Sequence, residues 1–369
     1  MKIAILGTRG IPNEYGGFEQ FAEYIGRGLV GKGHEVTIYN SSEHSLKENT
    51  FKGVHIVHKY CPEKKIGALA HFLFDWQCSK HASSKNYDII YHAGYGSAAP
   101  AIFMFSRQSK SIWVTNMDGL EWKRDKWSKP VKWITKQMER IAVKYSDHLI
   151  SDNVGIQEYY KKTYNAISTF LPYGAEIPKN VSEQPLKEFN VKPNQFYILV
   201  ARLEPENSIE TILDGFCESN SKTPFIVVGG DNTNYGRFLK KKFRINKKIV
   251  FVGGVYNVNK LNSLRRYAKL YFHGHTVGGT NPSLLEAMAL GASIVAHNNP
   301  FNFSVLESFG DYFSYKEDVC RVIEKKEKHK NNNWNKEQCV KKIKENYNWK
   351  KIINDHESFF KEITTCRSK

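Results

Sequence analysis

The chain has 369 residues, 41% of them hydrophobic and 25% charged, which is enough for two domains of ordinary size with a core in each. The balance of 54 Lys and Arg against 37 Asp and Glu leaves a net charge of +17, favouring an anionic partner: a nucleotide, an acidic membrane surface or nucleic acid. Six scattered cysteines with no Cys-x-x-Cys, an N-terminus too short for a signal peptide, and no apolar run of ~18 residues argue against a disulfide framework, secretion and a membrane span, so a cytoplasmic protein is expected.

In chain order, Ile3-Ala4-Ile5-Leu6 is an apolar run ending in Gly7-Thr8-Arg9-Gly10, as a central parallel strand opens onto a ligand loop. The loop continues to Tyr15-Gly16-Gly17-Phe18-Glu19, and Phe18, Phe21, Ala22, Ile25 and Leu29 then recur at helical spacing. A second strand follows at 34–39. The loop is not Gly-x-Gly-x-x-Gly, and no acidic residue follows the second strand to hold a ribose, so a dinucleotide is not expected in this half. Further strands are predicted at 54–57, 88–92 and 111–115, with an aromatic-rich helix over 69–82. In open α/β sheets ligands bind at the carboxyl ends of strands, which makes His92, Asp118 and Glu121 the titratable candidates here. A satisfied helix cap for Asp118 and a core position for His92 are the plain alternatives.

Between Lys123 and Lys144, basic residues interleave with Trp127, Trp133, Ile134 and Met138. Such a helix suits an anionic bilayer, or is a solvated face over a core stripe. After a strand at 148–153, Pro178, Pro185 and Pro193 mark a linker that begins near Glu176. A second α/β set follows, with strands at 196–201, 224–228, 249–252 and 268–273, each leading into a loop rich in glycine or polar residues. The tail from Asn331 is polar, then 341–360 reads as a helix with Tyr347, Trp349, Ile352, Ile353 and Phe359 on its apolar side.

The richest stretch is Val277-Gly278-Gly279-Thr280-Asn281-Pro282-Ser283-Leu284-Leu285-Glu286-Ala287-Met288. It reads as a glycine loop feeding a short helix, with Asn281 as N-cap and Pro282 at the first helical position. Its backbone N–H groups and helix dipole suit a diphosphate, and Glu286, one turn in, suits the hydroxyls of a ribose. A turn with a solvated glutamate is the plain alternative.

Taken together, the Gly-Thr-Arg-Gly-Ile-Pro…Tyr-Gly-Gly-Phe-Glu loop, Val-Ala-Arg-Leu-Glu-Pro-Glu-Asn and His-Thr-Val-Gly-Gly-Thr-Asn-Pro-Ser-Leu-Leu-Glu-Ala-Met resemble glycosyltransferase family 4, and within it a bacterial subgroup that includes capsule and cell-wall β-1,4-rhamnosyltransferases. The resemblance implies an α/β fold called GT-B, with two Rossmann-like doubly wound domains facing a cleft. Residues 1–176 would form an acceptor domain and 177–347 a nucleotide-sugar donor domain, with 348–369 crossing back onto the first. It also implies that Arg202 contacts the donor diphosphate, joined by Asn207, Gly279, Thr280 and Asn281, while Glu286 takes the ribose. Gly16 and Gly17 would line the opposite wall. Arg9, Glu19, His92 and Glu121 would face the acceptor, and Asp118 would position its hydroxyl.

Two positions depart from the family pattern. Gly278 stands where many members carry a glutamate that touches the transferred sugar, and Asn207 stands where many carry a lysine on the phosphates. A missing carboxylate fits a deoxysugar. The sequence has no Asp-x-Asp, so no metal and no cofactor are expected, and Arg202 with the helix terminus would stabilise the leaving group. The expected activity is retaining transfer of L-rhamnose from dTDP-β-L-rhamnose to a lipid-linked saccharide, in bacterial cell-surface polysaccharide synthesis at the inner face of the membrane. A UDP-hexose donor is the alternative within the class. Outside it stand a non-catalytic sugar-nucleotide binder and a nucleic-acid-binding protein, the latter disfavoured by the lack of any helix-turn-helix, zinc or RNA-binding signature.

Overall fold

The computed structural model describes all residues except Tyr15, Asp231, 329–334 and 368–369, so those positions of the glycine loops and the start of the predicted polar tail lie outside the described residues. Two compact units are present: Met1–Lys123 with Trp127–Gly174 and the tail from Trp349, and Arg124–Lys126 with Ala175–Asn348.

The first unit is built on the strands β1 (Lys2–Leu6), β2 (Glu35–Ser41), β3 (Thr50–Phe51), β4 (Val54–Lys59), β5 (Ile89–His92), β6 (Ile112–Asn116), β7 (His148–Ser151) and β8 (Thr169–Phe170), in the order β3-β4-β2-β1-β5-β6-β7-β8. All neighbours are parallel except β3 and β4. The second unit holds β9 (Tyr197–Val200), β10 (Phe225–Val228), β11 (Ile249–Gly253), β12 (Leu270–His273), β13 (Ile294–His297) and β14 (Asp311–Phe313), all parallel, in the order β11-β10-β9-β12-β13-β14. Strands covered on both faces by helices must be apolar along their whole length. Ile3–Leu6, Ile89–Tyr91 and Leu270–Phe272 are accordingly buried throughout. In each sheet the winding reverses direction once, between β1 and β5 and between β9 and β12. These reversals open the crevices in which doubly wound sheets bind ligands.

The single C-terminal helix read over 341–360 is two helices, Lys336–Asn346 and Trp349–Arg367, broken at Tyr347 and Asn348 where the chain leaves the second unit. The second of them completes the core of the first unit. Trp349 stacks on Tyr24 with 4.4 Å between ring centroids, His356 is fully buried against Phe21 and Tyr91, and Ile353 fills the space left by the missing side chain of Gly28. Glu357 bonds Lys32 at 2.8 Å and His34 at 3.0 Å.

In the second unit, Glu327 at the end of helix Lys316–Lys328 accepts from Tyr197, Ser221, Thr223 and Lys269. Partial burial alone would raise its pKa, but these four donors outweigh it and hold the group at about 2 against an ordinary 4.5. A carboxylate depressed in the folded state adds stability above its unfolded pKa and loses it as pH falls through the folded value. The difference in urea midpoint between the wild type and Glu327→Gln is therefore greatest above pH 4.5 and closes toward pH 2. A difference that stays constant across that range would contradict the assignment.

Candidate functional site

In the second unit, β9 runs out at Ala201 into Arg202, whose side chain is exposed, and then into the short turn Pro205–Asn207. β12 runs out at His273 into Gly274-His275 and the glycine loop. The two loops are tied together. The Asn207 side chain donates from Nδ2 to the Arg202 carbonyl at 2.8 Å, and its Oδ1 lies 2.9 Å from Nδ1 of His275. Thr276 donates its backbone N–H and its hydroxyl to the Glu206 carbonyl, both at 2.9 Å. Gly274 is required at this crossing, since a Cβ there would stand 2.0 Å from the Asn207 carbonyl oxygen.

The loop ends as its sequence predicts. Asn281 caps the helix Pro282–Ala289, its side chain accepting from Ser283 N–H at 2.9 Å, and Pro282 takes the first helical position. Gly279 and Thr280 are buried just before the cap. Glu286 sits one turn in, partly exposed, with an ion pair to Arg265 at 2.7 Å. Arg265 is buried on the helix Val258–Tyr267 and also donates to Ser283 Oγ at 3.0 Å. Sequence reasoning missed Arg265, because a surface-type residue 21 positions before Glu286 gives no local sign of its partner.

Gly278 has φ +140°, a backbone that L side chains rarely adopt, and a Cβ on it would meet His275 Nε2 at 2.6 Å. The absence of a carboxylate at this position is thus fixed by both backbone and neighbour. The two departures from the family pattern, Asn207 and Gly278, meet on one imidazole. Burial, reinforced by His273, Arg124 and Arg202, pushes the pKa of His275 well down, so the ring is neutral. The segment Arg124–Lys126 reaches this unit from the basic stretch, with Arg124 donating to the buried Glu206 at 3.2 Å.

In the first unit, Glu19 is buried and accepts from the Arg9 backbone N–H at 2.9 Å, which holds the loop that carries Gly16 and Gly17. The Arg9 guanidinium grips Glu63 at 2.7 and 2.9 Å. Cys61, Glu63 and His71 are, among the described residues, grouped closely enough to suit an ion, but that guanidinium places a fixed cation on the shared carboxylate. Asp118 follows β6 and is partly exposed. Asp118 and Asp152 both act on the buried Tyr91 and Tyr173, whose pKa values burial and then these carboxylates raise well above the ordinary value. Asp152, at the end of β7, was not singled out from sequence, although it stands at a strand's carboxyl end as Asp118 does. Glu121 lies in the short turn Glu121–Lys123 that follows.

His92 corrects the expectation of a titratable group at the strand's carboxyl end facing the acceptor, and takes the core position that is its plain alternative. It is 0% exposed, stacks on Trp113 at 5.4 Å, and has no hydrogen-bond partner for either ring nitrogen among the described residues. Burial lowers its pKa to about 3. It is a core histidine.

The basic stretch is corrected in part. Its helix starts only at Lys129, and Lys136 turns inward to the fully buried Glu139 at 2.6 Å. Glu139 also accepts from Trp122 at 3.0 Å, Tyr159 at 2.8 Å and Tyr164 at 2.6 Å.

Three comparisons bear on these sites. Residues 182–348 match the family model described as glycosyl transferases group 1, and residues 1–176 match a domain of unknown function (DUF1972). An uncharacterized glycosyltransferase of Methanocaldococcus jannaschii is 25% identical over 255 residues, covering 62% of this chain and 62% of that protein. The chain thus spans about three fifths of the curated relative it matches. Among solved structures, sucrose-phosphate synthase from Thermosynechococcus elongatus aligns with TM-score 0.81 at 14% identity, over 99% of both chains. Anabaena HepE, solved with UDP-glucose, aligns with TM-score 0.76 at 14% identity, over 98% of this chain and 99% of that one. The chain therefore has the α/β GT-B glycosyltransferase fold with two Rossmann-like parallel sheets, and its second half carries a group 1 glycosyl transferase domain.

The Gly278 turn makes a prediction of its own. Gly278→Ala should cost about 1–3 kcal/mol of stability through positive φ and the His275 contact. Gly230→Ala, where φ is ordinary and an added Cβ meets nothing within 4 Å, should change it little. Urea denaturation of both variants checks this, and equal midpoints would contradict the reading.

Proposed function

We propose that the chain is a retaining glycosyltransferase that moves L-rhamnose from dTDP-β-L-rhamnose onto a lipid-linked saccharide in bacterial cell-surface polysaccharide synthesis, without a metal ion or other cofactor. The observation that carries this reading is the set of groups at the ends of β9 and β12: an exposed Arg202, the capped tip of the helix Pro282–Ala289, and Glu286 one turn along it. Breaking a sugar–phosphate bond leaves negative charge on the nucleoside diphosphate. A guanidinium and a helix N-terminus fixed beforehand offset that charge without reorganising during the reaction. Glu286, held in place by Arg265, accepts from the ribose hydroxyls. In a front-face reaction the departing phosphate takes the acceptor's proton, so no strong protein base is needed, and Asp118 positions the acceptor hydroxyl.

The bare, sterically closed turn at Gly278 supports a deoxysugar donor. The UDP and UDP-glucose complexes of Anabaena HepE support the second reading, a UDP-hexose donor on the same site. Calorimetric titration with dTDP, UDP and GDP, without added metal, separates them. The expected result is preferential dTDP binding, weakened at least about tenfold in both Arg202→Ala and Glu286→Gln. Preference for UDP would replace the rhamnose assignment, and no nucleotide binding would remove the donor reading altogether.

A peripheral place on the cytoplasmic membrane face is part of the proposal. The helices Leu69–Ser83, Ala99–Phe105 and Lys129–Tyr145 pack side by side in the first unit, and each exposes large apolar side chains, including Leu69, Phe103, Trp133 and Ile134. No helix among the described residues is long and apolar enough to cross a membrane. Lysines and arginines beside exposed tryptophan and aliphatic groups suit an anionic interface, each basic residue adding about 1 kcal/mol. Lys132→Glu combined with Arg140→Glu and Trp133→Ala should reduce binding to phosphatidylglycerol vesicles at least about tenfold and leave nucleotide affinity intact. Unchanged vesicle binding would sink the membrane assignment. Lys136 is left out of the variant because its charge serves Glu139.

A further inference from the structure

His275 opens the glycine-loop motif, yet no role has been assigned to it at the donor site. The hydrogen bonds around it determine which nitrogen carries the proton. Asn207 uses its Nδ2 to donate to the Arg202 carbonyl, so the atom that faces His275 is Oδ1, which only accepts. Nδ1 of His275 must therefore be the protonated nitrogen. With the ring neutral in its half-buried, cation-flanked position, Nε2 carries a lone pair and no hydrogen. Among the described residues Nε2 has no hydrogen-bond partner, and it lies over Gly278, where even a methyl group would collide with it. The backbone beneath it is thus kept bare, and the same loop leads within three residues to the helix tip at Asn281.

We propose that His275 recognises the transferred sugar: with its Nδ1–H held by Asn207, it presents Nε2 as a hydrogen-bond acceptor to a hydroxyl of the donor's sugar ring. This rests on the donor reading above. A diphosphate between Arg202 and the helix tip leaves its sugar beside the Gly278 turn, and an Nε2 lone pair there selects for a hydroxyl and against a second anionic group. A neutral acceptor also orients the sugar without adding negative charge next to the leaving diphosphate, where a carboxylate would repel it.

The test compares ligands with and without the sugar. Isothermal titration of dTDP against dTDP-L-rhamnose, and of UDP against UDP-glucose, is run on wild type, His275→Asn and His275→Gln. Asparagine keeps an N–H for Asn207 but has no atom at the Nε2 position, whereas glutamine can return an acceptor there. The expected result is nucleoside diphosphate affinity within about twofold of wild type in both variants, nucleotide-sugar affinity about tenfold weaker in His275→Asn, and partial recovery in His275→Gln. Equal losses for diphosphate and nucleotide-sugar, or no loss for either, would overturn the proposal. If neither nucleotide binds the wild type, the donor reading fails and this proposal with it. A second measurement needs no variant. In wild type with 15N-labelled histidine, the Nε2 resonance of a neutral Nδ1–H ring should move on adding the bound nucleotide-sugar and stay in place on adding the diphosphate alone, and an unmoved resonance would overturn the assignment.

Discussion

The side-chain amide of Asn207 is the joint on which the second unit's strand-end loops depend. One of its ends holds the Arg202 carbonyl and the other holds His275, so the loop after β9 and the loop after β12 share a single planar group. Much of the neighbouring sequence follows from that geometry. Gly274 must lack a side chain to let the Asn207 carbonyl pass, and Ser208 turns the chain away at φ +48°. A lysine in place of Asn207 would donate to the Arg202 carbonyl but would have nothing to offer Nδ1–H, and His275 would lose its fixed orientation. The neutral amide, the neutral imidazole and the bare glycine are three parts of one arrangement.

The scaffold was largely legible in the sequence because parallel strands buried on both faces must be apolar along their length and must end where the chain turns. Ile3–Leu6, Ile89–Tyr91 and Leu270–Phe272 show this directly, as do the glycines that follow them. The cap at Asn281 was legible for a similar reason: capping is local chemistry, read over three or four residues. Side-chain partnerships across the fold were not. Arg265 pairs with Glu286 from a different helix, and His275 takes its meaning from a partner 68 positions away. His92 misled because every residue of β5 is buried. In such a strand the alternation of faces leaves no trace in polarity, and a strand-end histidine in the core reads the same as one in a crevice.

The basic stretch from Lys123 to Lys144 shows how a composition argument divides once the chain folds. Its charges serve three purposes. Arg124 answers the buried Glu206, Lys136 answers the buried Glu139, and Lys129, Arg140 and Lys144 remain at the surface. Glu139 explains why the inward lysine is needed: a fully buried carboxylate is tolerated only when paired and hydrogen-bonded, and here one lysine, three tyrosines and a tryptophan surround it. Through Trp122 that cluster also fixes the end of the loop that carries Asp118 and Glu121.

The helix Trp349–Arg367 has a consequence for how this protein is made. The first unit has its sheet, and most of its helices, once residue 174 has been synthesised, yet the partner for Tyr24 and the cover over Phe21 and Tyr91 come from Trp349 and His356, near the other end of the chain. On the ribosome the N-terminal unit must wait, with an apolar groove open, while the whole second unit emerges. The second unit, Arg124–Lys126 with Ala175–Asn348, has all its residues before that helix emerges. The half that begins the chain is therefore the half that is completed last, by the helix Trp349–Arg367.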